Sequence, residues 1–213
     1  MKLTLLHPGY FGPVDQFCAL VKADRVLWEK EDNYQKQTYR NRQYIYGANG
    51  SLMLNIPIKH AHGKEGRQKY KDVQIDNEFN WQKNHWKSLE SAYRASPYFE
   101  FFEDELHFLY EKRFRFLMDF NRQCTTAMLT CLEVEKNHAE TDEYLARYID
   151  SKEVIDDRHL IEAKRSPQIE FNPYSQVFKE KHGFLPNLSI LDLLFNEGPQ
   201  TPAYLKEHAR LLG

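Results

Sequence analysis

Leu3 to Leu6 is a short apolar run ended by His7-Pro8-Gly9, and after Pro13 the apolar positions Val14, Phe17, Cys18 and Val21 recur at three- and four-residue steps. The first pattern predicts a strand and the second a helix. Arg25 to Trp28, entered from Lys22-Ala23-Asp24, reads as a second strand. Two strands joined through a helix make a βαβ opening whose strands run parallel. Further on, Gln43 to Tyr46 and Ser51 to Ile58 flank Gly47-Ala48-Asn49-Gly50. The Asn-Gly pair suits the positive-φ positions of a type I′ turn, so a β-hairpin is expected. On its second strand Leu52, Leu54, Ile56 and Ile58 share one face by the two-residue period, and Pro57 marks an edge or an end. His60 to Lys71 turns polar and predicts an exposed loop, and Val73 to Ile75 is read as a return strand.

The period then changes. Asn80 can cap a helix in which Trp81, His85, Leu89 and Ala92 follow one another on one face, with Trp86 and Tyr93 beside them, ended by Ser96-Pro97. From about Tyr98 two long helices follow, one holding Phe102, Leu106 and Leu109, the other Phe116, Phe120, Cys124, Ala127 and Cys131. Asn137 to Ser166 is charged and lacks long apolar runs, which predicts a helix or two with irregular joins. Leu188 to Phe195 reads as a buried helix stopped by Gly198-Pro199. No repeat or low-complexity tract interrupts the chain.

Composition narrows the class. With 213 residues, 41% of them hydrophobic, the chain can bury a real core, and no apolar run approaches the length of about 18 residues that a membrane helix needs. The apolar start Met1-Lys2-Leu3-Thr4-Leu5-Leu6 ends too early for a secretory segment, so residence in the cytoplasm without membrane insertion is expected. Cys18, Cys124 and Cys131 are an odd number in apolar helical contexts, which fits reduced, buried thiols. A net charge of -2 with interspersed signs argues against a dedicated nucleic-acid binder.

One charge pattern stands out against that background. Acids make up 31 of the 213 residues, yet none falls between Asn33 and Lys64, where Lys36, Arg40, Arg42, Lys59 and Lys64 lie among Tyr34, Tyr39, Tyr44 and Tyr46. Such a local field fits a small anion such as phosphate or carboxylate, and the alternative is a solvated sheet face. Arginine forks suit bidentate recognition of either group. If the stretch is extended, Arg40 and Arg42 share a face with Lys36, while Asn41 points the other way.

Gln35, Asn41 and Gln176 could read polar ligand groups. His7 and Tyr10 follow the first strand, where ligands gather in open α/β sheets, although His7 could equally be a loop histidine satisfied by backbone groups. His85 lies on an apolar helix face, as a core histidine or as a proton acceptor kept neutral by burial. Asp192 stands in an apolar helix and must find a partner, for which Arg40 or Arg42 is the natural candidate. His60 and His62 have no carboxylate or thiolate to complete a metal shell, so no metal is assigned. There is no GxGxxG or Walker pattern, and no cofactor is assigned.

Four segments resemble the WbqC-like protein family. They are His7 to Pro13 with Ala23-Asp24, then Tyr34-Gln35-Lys36 through Arg40-Asn41-Arg42 to Ile56-Pro57-Ile58-Lys59, then the Asn80 to Trp86 helix, and finally Tyr174 to Phe178 with Gly183 to Asn196. Many relatives carry Gln-Pro-x-Tyr where this chain has His7. The resemblance implies bacterial surface-polysaccharide or O-antigen synthesis and a role in attaching an amino acid such as glycine to an amino sugar. Together with the residues it leads to a transferase acting on a nucleotide sugar or acyl donor, held by Lys36, Arg40, Arg42 and Lys59, with His85 as proton acceptor. A non-catalytic module that binds a small anion or a partner in an envelope-synthesis complex is the alternative. The expected fold is α/β, with a Rossmann-like N-terminal βαβ plus β-hairpin and a mainly helical C-terminal half, as a single domain over 1–213 with an α/β part over 1–79.

Overall fold

The computed structural model describes residues 2–59, 68–146, 154–167 and 169–212. Two sheets organise them. The first is parallel and four-stranded, built from β1 (Leu3–Leu6), β2 (Arg25–Trp28), β5 (His138–Glu140) and β6 (Val154–Asp156) in the order β5-β2-β1-β6. Numbered within the sheet, that order is 3-2-1-4, the first four positions of the doubly wound order 3-2-1-4-5-6. The second sheet is the hairpin of β3 (Arg42–Gly47) and β4 (Gly50–Asn55), paired from Arg42 opposite Asn55 to Gly47 opposite Gly50.

The opening βαβ forms as its periodicity predicts. β1 and β2 pair in parallel, with Leu3 opposite Arg25 and Leu6 opposite Trp28, and α1 (Val14–Lys22) crosses between them. Pro13 precedes α1 and offers no side-chain cap. Its free amide groups are met instead from the far end of the chain: Val14 donates to the Leu188 carbonyl at 3.1 Å and Asp15 to Asn187 Oδ1 at 2.9 Å. Ser189 Oγ donates to the Phe11 carbonyl at 2.8 Å, so the turn after β1 and the 187–190 segment interlock. Gly12 keeps this turn close, because a Cβ there would stand 1.8 Å from Gln16 Oε1. Gln16 in turn donates to the His7 carbonyl at 2.7 Å, which fixes the end of β1.

The segment from Asn137 to Ser166 departs from its expected helices. It supplies β5 and β6, which add to β2 and β1 as outer parallel strands. Each is three residues long, too short to display an alternating pattern. The hairpin turn also differs from type I′. Only Gly50, at φ 98°, takes a positive φ, and neither Ala48 nor Asn49 does. Val73 to Ile75 makes isolated bridges through Gln74 and Ile75 rather than a strand.

The helices α2 (Trp81–Tyr93), α3 (Phe99–Glu111) and α4 (Leu117–Cys131) pack in succession beside the hairpin. Past a single turn, α5 (Lys179–His182), lies α6 (Ile190–Glu197), which ends at Gly198 as expected. The chain resumes as α7 (Thr201–Ala209), which packs on α1. Buried apolar side chains from Leu6 to Leu212 form one contiguous cluster, so the sheet and the helices share a core. Cys18 and Cys124 are buried, Cys131 is half-buried, and all three are free. No helix among the described residues is long and apolar enough to cross a membrane.

Candidate functional site

All four parallel strands send residues to one cavity. It encloses 280 Å³ and is lined by His7 after β1, Asp32 after β2, Tyr144 after β5 and the Asp156 to His159 segment at the end of β6, with Gln35 and Arg40 closing it. In open α/β sheets ligands bind beyond the strand carboxyl ends, where strand order reverses. Here the reversal lies between β1 and β6, the strands that carry His7 and Arg158.

Arg40 is the centre of the cluster and is 1% exposed. Its Nη2 donates to Asp32 Oδ2 at 2.6 Å and approaches His7 Nε2 at 2.7 Å. The guanidinium lies 5.1 Å from the centre of the Tyr70 ring, an attractive placement for a cation. Asn121 Nδ2 holds the assembly by donating to the Arg40 carbonyl and to the Tyr70 hydroxyl, both at 2.6 Å, and that hydroxyl donates to the Pro8 carbonyl at 2.7 Å. The His7-Pro8 turn and Arg40 are therefore braced by Asn121 of α4 and by Tyr70 of the Tyr70–Asp72 turn. Arg40 Nε and Nη1 are buried without a hydrogen-bond partner among the described residues, a costly condition for a charged group.

His7 is neutral in this setting. Burial first, and then the Arg40 charge, lower its pKa to about 4 against the opposing pull of Asp32. Its partners assign the tautomer: Nδ1 faces the Arg158 carbonyl at 3.4 Å, which can only accept, so Nε2 is left to accept from Arg40. Asp32 Oδ2 lies 3.0 Å from the same Nε2, poised to receive a hydrogen bond if the ring protonates. For Asp32 itself, burial acts to raise the pKa, but the adjoining His7 ring and the charge and hydrogen bond of Arg40 prevail and lower it.

Arg158 is bound by two carboxylates. Nε and Nη2 donate to the two oxygens of Asp156 at 2.8 and 2.6 Å, while Nη1 donates to fully buried Glu29 at 3.1 Å. Glu29 also accepts from Thr141 Oγ1 at 2.9 Å. These charges compensate one another, and they tie the ends of β2, β5 and β6 together.

A second cavity, of 570 Å³, is lined by Tyr34, Lys36, Asn41, Arg42, Asp76 and Phe79 together with the end of β4 and the residues after it. Gln35 and Arg40 border the first cavity while their chain neighbours Lys36 and Asn41 border the second, so a single segment separates the two. The extended reading of this stretch, with Arg40 and Arg42 on one face, therefore fails. Residues 39–41 form a turn, with the Asn41 amide donating to the Thr38 carbonyl at 3.4 Å, and the turn rotates Arg40 away from Arg42.

Other candidates sit apart. His85 Nδ1 meets the Tyr10 hydroxyl at 2.9 Å, and that hydroxyl lies 3.1 Å from the Tyr110 hydroxyl. The surroundings are Trp81 and Phe120, and burial lowers the His85 pKa to about 4. His85 and Tyr10 line neither cavity and belong to the core. Asp192 meets no arginine. It accepts from Tyr93 at 2.9 Å, Tyr174 at 2.6 Å and Gln176 at 2.7 Å, which corrects the expected pairing with Arg40 or Arg42 and places Gln176 in the same buried clasp. Lys59 is exposed and borders neither cavity. His60, His62 and Lys64 lie outside the described residues.

Sequence reasoning missed Asp32, Tyr70, Asn121, Tyr144 and Arg158. For Asp32 a signal existed in its place just past β2, at the strand end that the switch-point rule singles out. Arg158 and Tyr144 follow strands too short to be recognised.

The sequence profile of the WbqC-like protein family matches residues 7–169, and the chain belongs to that family. The matched span contains every residue of both cavities and ends before Tyr174, Gln176 and Asp192 of the clasp. The chain is 26% identical to "Uncharacterized protein Rv1507c" of Mycobacterium tuberculosis over 230 aligned positions, covering 96% of this chain and 97% of that protein. No solved structure matches it.

Proposed function

We propose that this WbqC-like protein is a transferase of bacterial surface-polysaccharide synthesis, acting on a nucleotide-sugar or acyl-donor substrate and joining an amino acid to an amino sugar. The polar acceptor group of the sugar sits in the sheet-edge cavity. The observation that carries this reading is the unfinished bonding at that cavity. Asp32 Oδ1 has no hydrogen-bond partner among the described residues and is not closed off, while Arg40 keeps two unmet N–H groups beside it. An amine or hydroxyl donating to Asp32 Oδ1 is oriented for attack on an activated acyl carbon. The new amide or ester bond forms as the acyl donor's leaving group departs and carries off the acceptor's proton, with Asp32 orienting the acceptor rather than keeping that proton. Most of the acceleration then comes from orientation and from fixed charge, with Gln35 and Arg40 as further donors. His7 positions Asp32 and Arg40 rather than touching the substrate.

A second reading, a non-catalytic small-molecule or partner-binding module, is favoured by one feature. The imidazole built into the cluster titrates at about 4, too low for efficient proton acceptance near neutrality. Turnover separates the two. Purified protein incubated with a nucleotide-linked amino sugar and an activated amino acid is expected to yield the acylated sugar by mass spectrometry, with the rate falling about a hundredfold in Asp32→Asn and about tenfold in Gln35→Ala. Binding of the sugar without any product supports the module, and neither binding nor product overturns both.

A further inference from the structure

The second cavity is distinct from the site above in what it offers a ligand. Its walls hold two cations, Lys36 and Arg42, against one carboxylate, Asp76. Neither Lys36 nor Arg42 has an ion-pair partner among the described residues. Among the described residues the buried Arg42 Nε has no acceptor and, one residue earlier, the buried Asn41 Oδ1 has no donor. The Asn41 amide is otherwise occupied, its Nδ2 donating to Asn55 Oδ1 at 3.0 Å and to the Ile56 carbonyl at 3.2 Å, so the side chain is fixed with its free oxygen in place. At the rim Phe79 is 63% exposed, unusual for so large an apolar ring, and Tyr34 lies partly buried on the same wall.

These features ask for a ligand with an anionic end, a planar apolar end and hydroxyls between them. The cations would take phosphate oxygens, with Arg42 contributing its unmet Nε. A flat ring could lie against Phe79, since stacking on an exposed aromatic tolerates any base. Asp76 and Asn41 Oδ1 would accept from hydroxyl or amino groups. The volume of 570 Å³ falls inside the range of roughly 300–1,000 Å³ typical of small-molecule sites, whereas a bare phosphate would leave most of it unfilled. We infer that this second cavity is a nucleoside-phosphate site, with the phosphate on Lys36 and Arg42 and the base on Phe79. The inference does not depend on the sheet-edge reading, because it concerns binding on the other side of the 34–42 segment and no chemical step.

The test is calorimetric titration of the full chain at low salt with UMP, AMP, uridine and inorganic phosphate, used as separate probes. At least one nucleoside monophosphate is expected to bind more than about tenfold more tightly than either uridine or phosphate alone. Lys36→Ala and Phe79→Ala alter exposed side chains and leave the fold in place, and each is expected to weaken that binding by about tenfold. Arg42→Lys, which keeps the charge but loses the fork, is expected to weaken it measurably. Gln35→Ala, on the other side of the segment, is expected to leave it unchanged. Equal affinity for phosphate and nucleotide overturns the base site, and loss of nucleotide binding through Gln35 rather than Lys36 moves it to the other cavity. Absence of binding by every probe overturns the inference altogether. Failure of sugar acylation leaves these titrations unaffected, so the two readings fail separately.

Discussion

Two buried carboxylates, Asp32 and Asp192, are kept by opposite means. No cation among the described residues pairs with Asp192. Three neutral donors converge on its oxygens, and Gln176 is itself closed by bonds to both the amide and the carbonyl of Leu185. Asp32 is held by a buried guanidinium on one oxygen, with the neutral His7 ring beside it, and the other oxygen is left open beside Arg40's unmet donors. The first arrangement is saturated: it fixes α6 to α2 and to the segment before α5 and has nothing left to offer. The second is deliberately short of partners. Saturation of hydrogen bonding, more than burial or charge, separates a structural carboxylate from one placed for a ligand.

The largest effect expected from breaking this contrast is on stability at the saturated site. Asp192→Ala removes the acceptor for two tyrosine hydroxyls and one amide, all buried, and each stranded donor costs about 1–3 kcal/mol. A total loss of roughly 3–9 kcal/mol in urea unfolding is expected, with ligand binding by the folded fraction unchanged. A loss below about 1 kcal/mol would show that the clasp is not saturated as described.

Asp32→Asn should be milder for the fold. The amide can still accept from Arg40, so what is lost is the charge in a hydrogen bond to a guanidinium, about 1–3 kcal/mol. Its effect on sugar acylation, a hundredfold or about 2.7 kcal/mol, is expected to lie near the upper end of that range. If unfolding free energy falls by more than in Asp192→Ala, the assignment of structural and functional roles to the two carboxylates is reversed.

How much of this contrast could be read from the sequence follows from the range of the forces involved. Asp192 is visible as a lone acid among Leu191, Leu193 and Leu194, and burial is a local inference from helical periodicity. Its partners are not visible, because Tyr93 and Tyr174 reach it from 99 and 18 residues away and bring no charge to advertise the contact. The acid-free tract from Asn33 to Lys64 does lead to both cavities, since Gln35 and Arg40 line one and Lys36, Asn41 and Arg42 the other. What it conceals is the turn at residues 39–41, which divides one apparent cationic face into two. The opening βαβ and the helices Trp81–Tyr93, Phe99–Glu111 and Leu117–Cys131 were legible because each repeats an apolar period over several turns. β5 and β6 exist only through pairing with β2 and β1, more than a hundred residues away, and three residues carry no period.

The smallest expected effect is also the sharpest discriminator, because it depends on sign. Asp32 titrates below the usual 3.8 in the folded state, since the adjoining His7 ring and Arg40 outweigh burial. Its contribution to stability is therefore present above that value and is lost as pH falls through the folded pKa. Asp192 titrates above 3.8, because burial outweighs the bonds from Tyr174, Gln176 and Tyr93. Its contribution is present below 3.8 and is lost as pH rises through the folded pKa. Urea unfolding of wild type, Asp32→Asn and Asp192→Asn as pH is lowered from neutrality should then give two differences of opposite slope. The advantage of wild type over Asp32→Asn shrinks, mostly below pH 3.8, while wild type gains on Asp192→Asn above that value. Equal slopes would mean that a guanidinium and three neutral donors hold their carboxylates alike, and the distinction between the open and the saturated site would have no electrostatic basis.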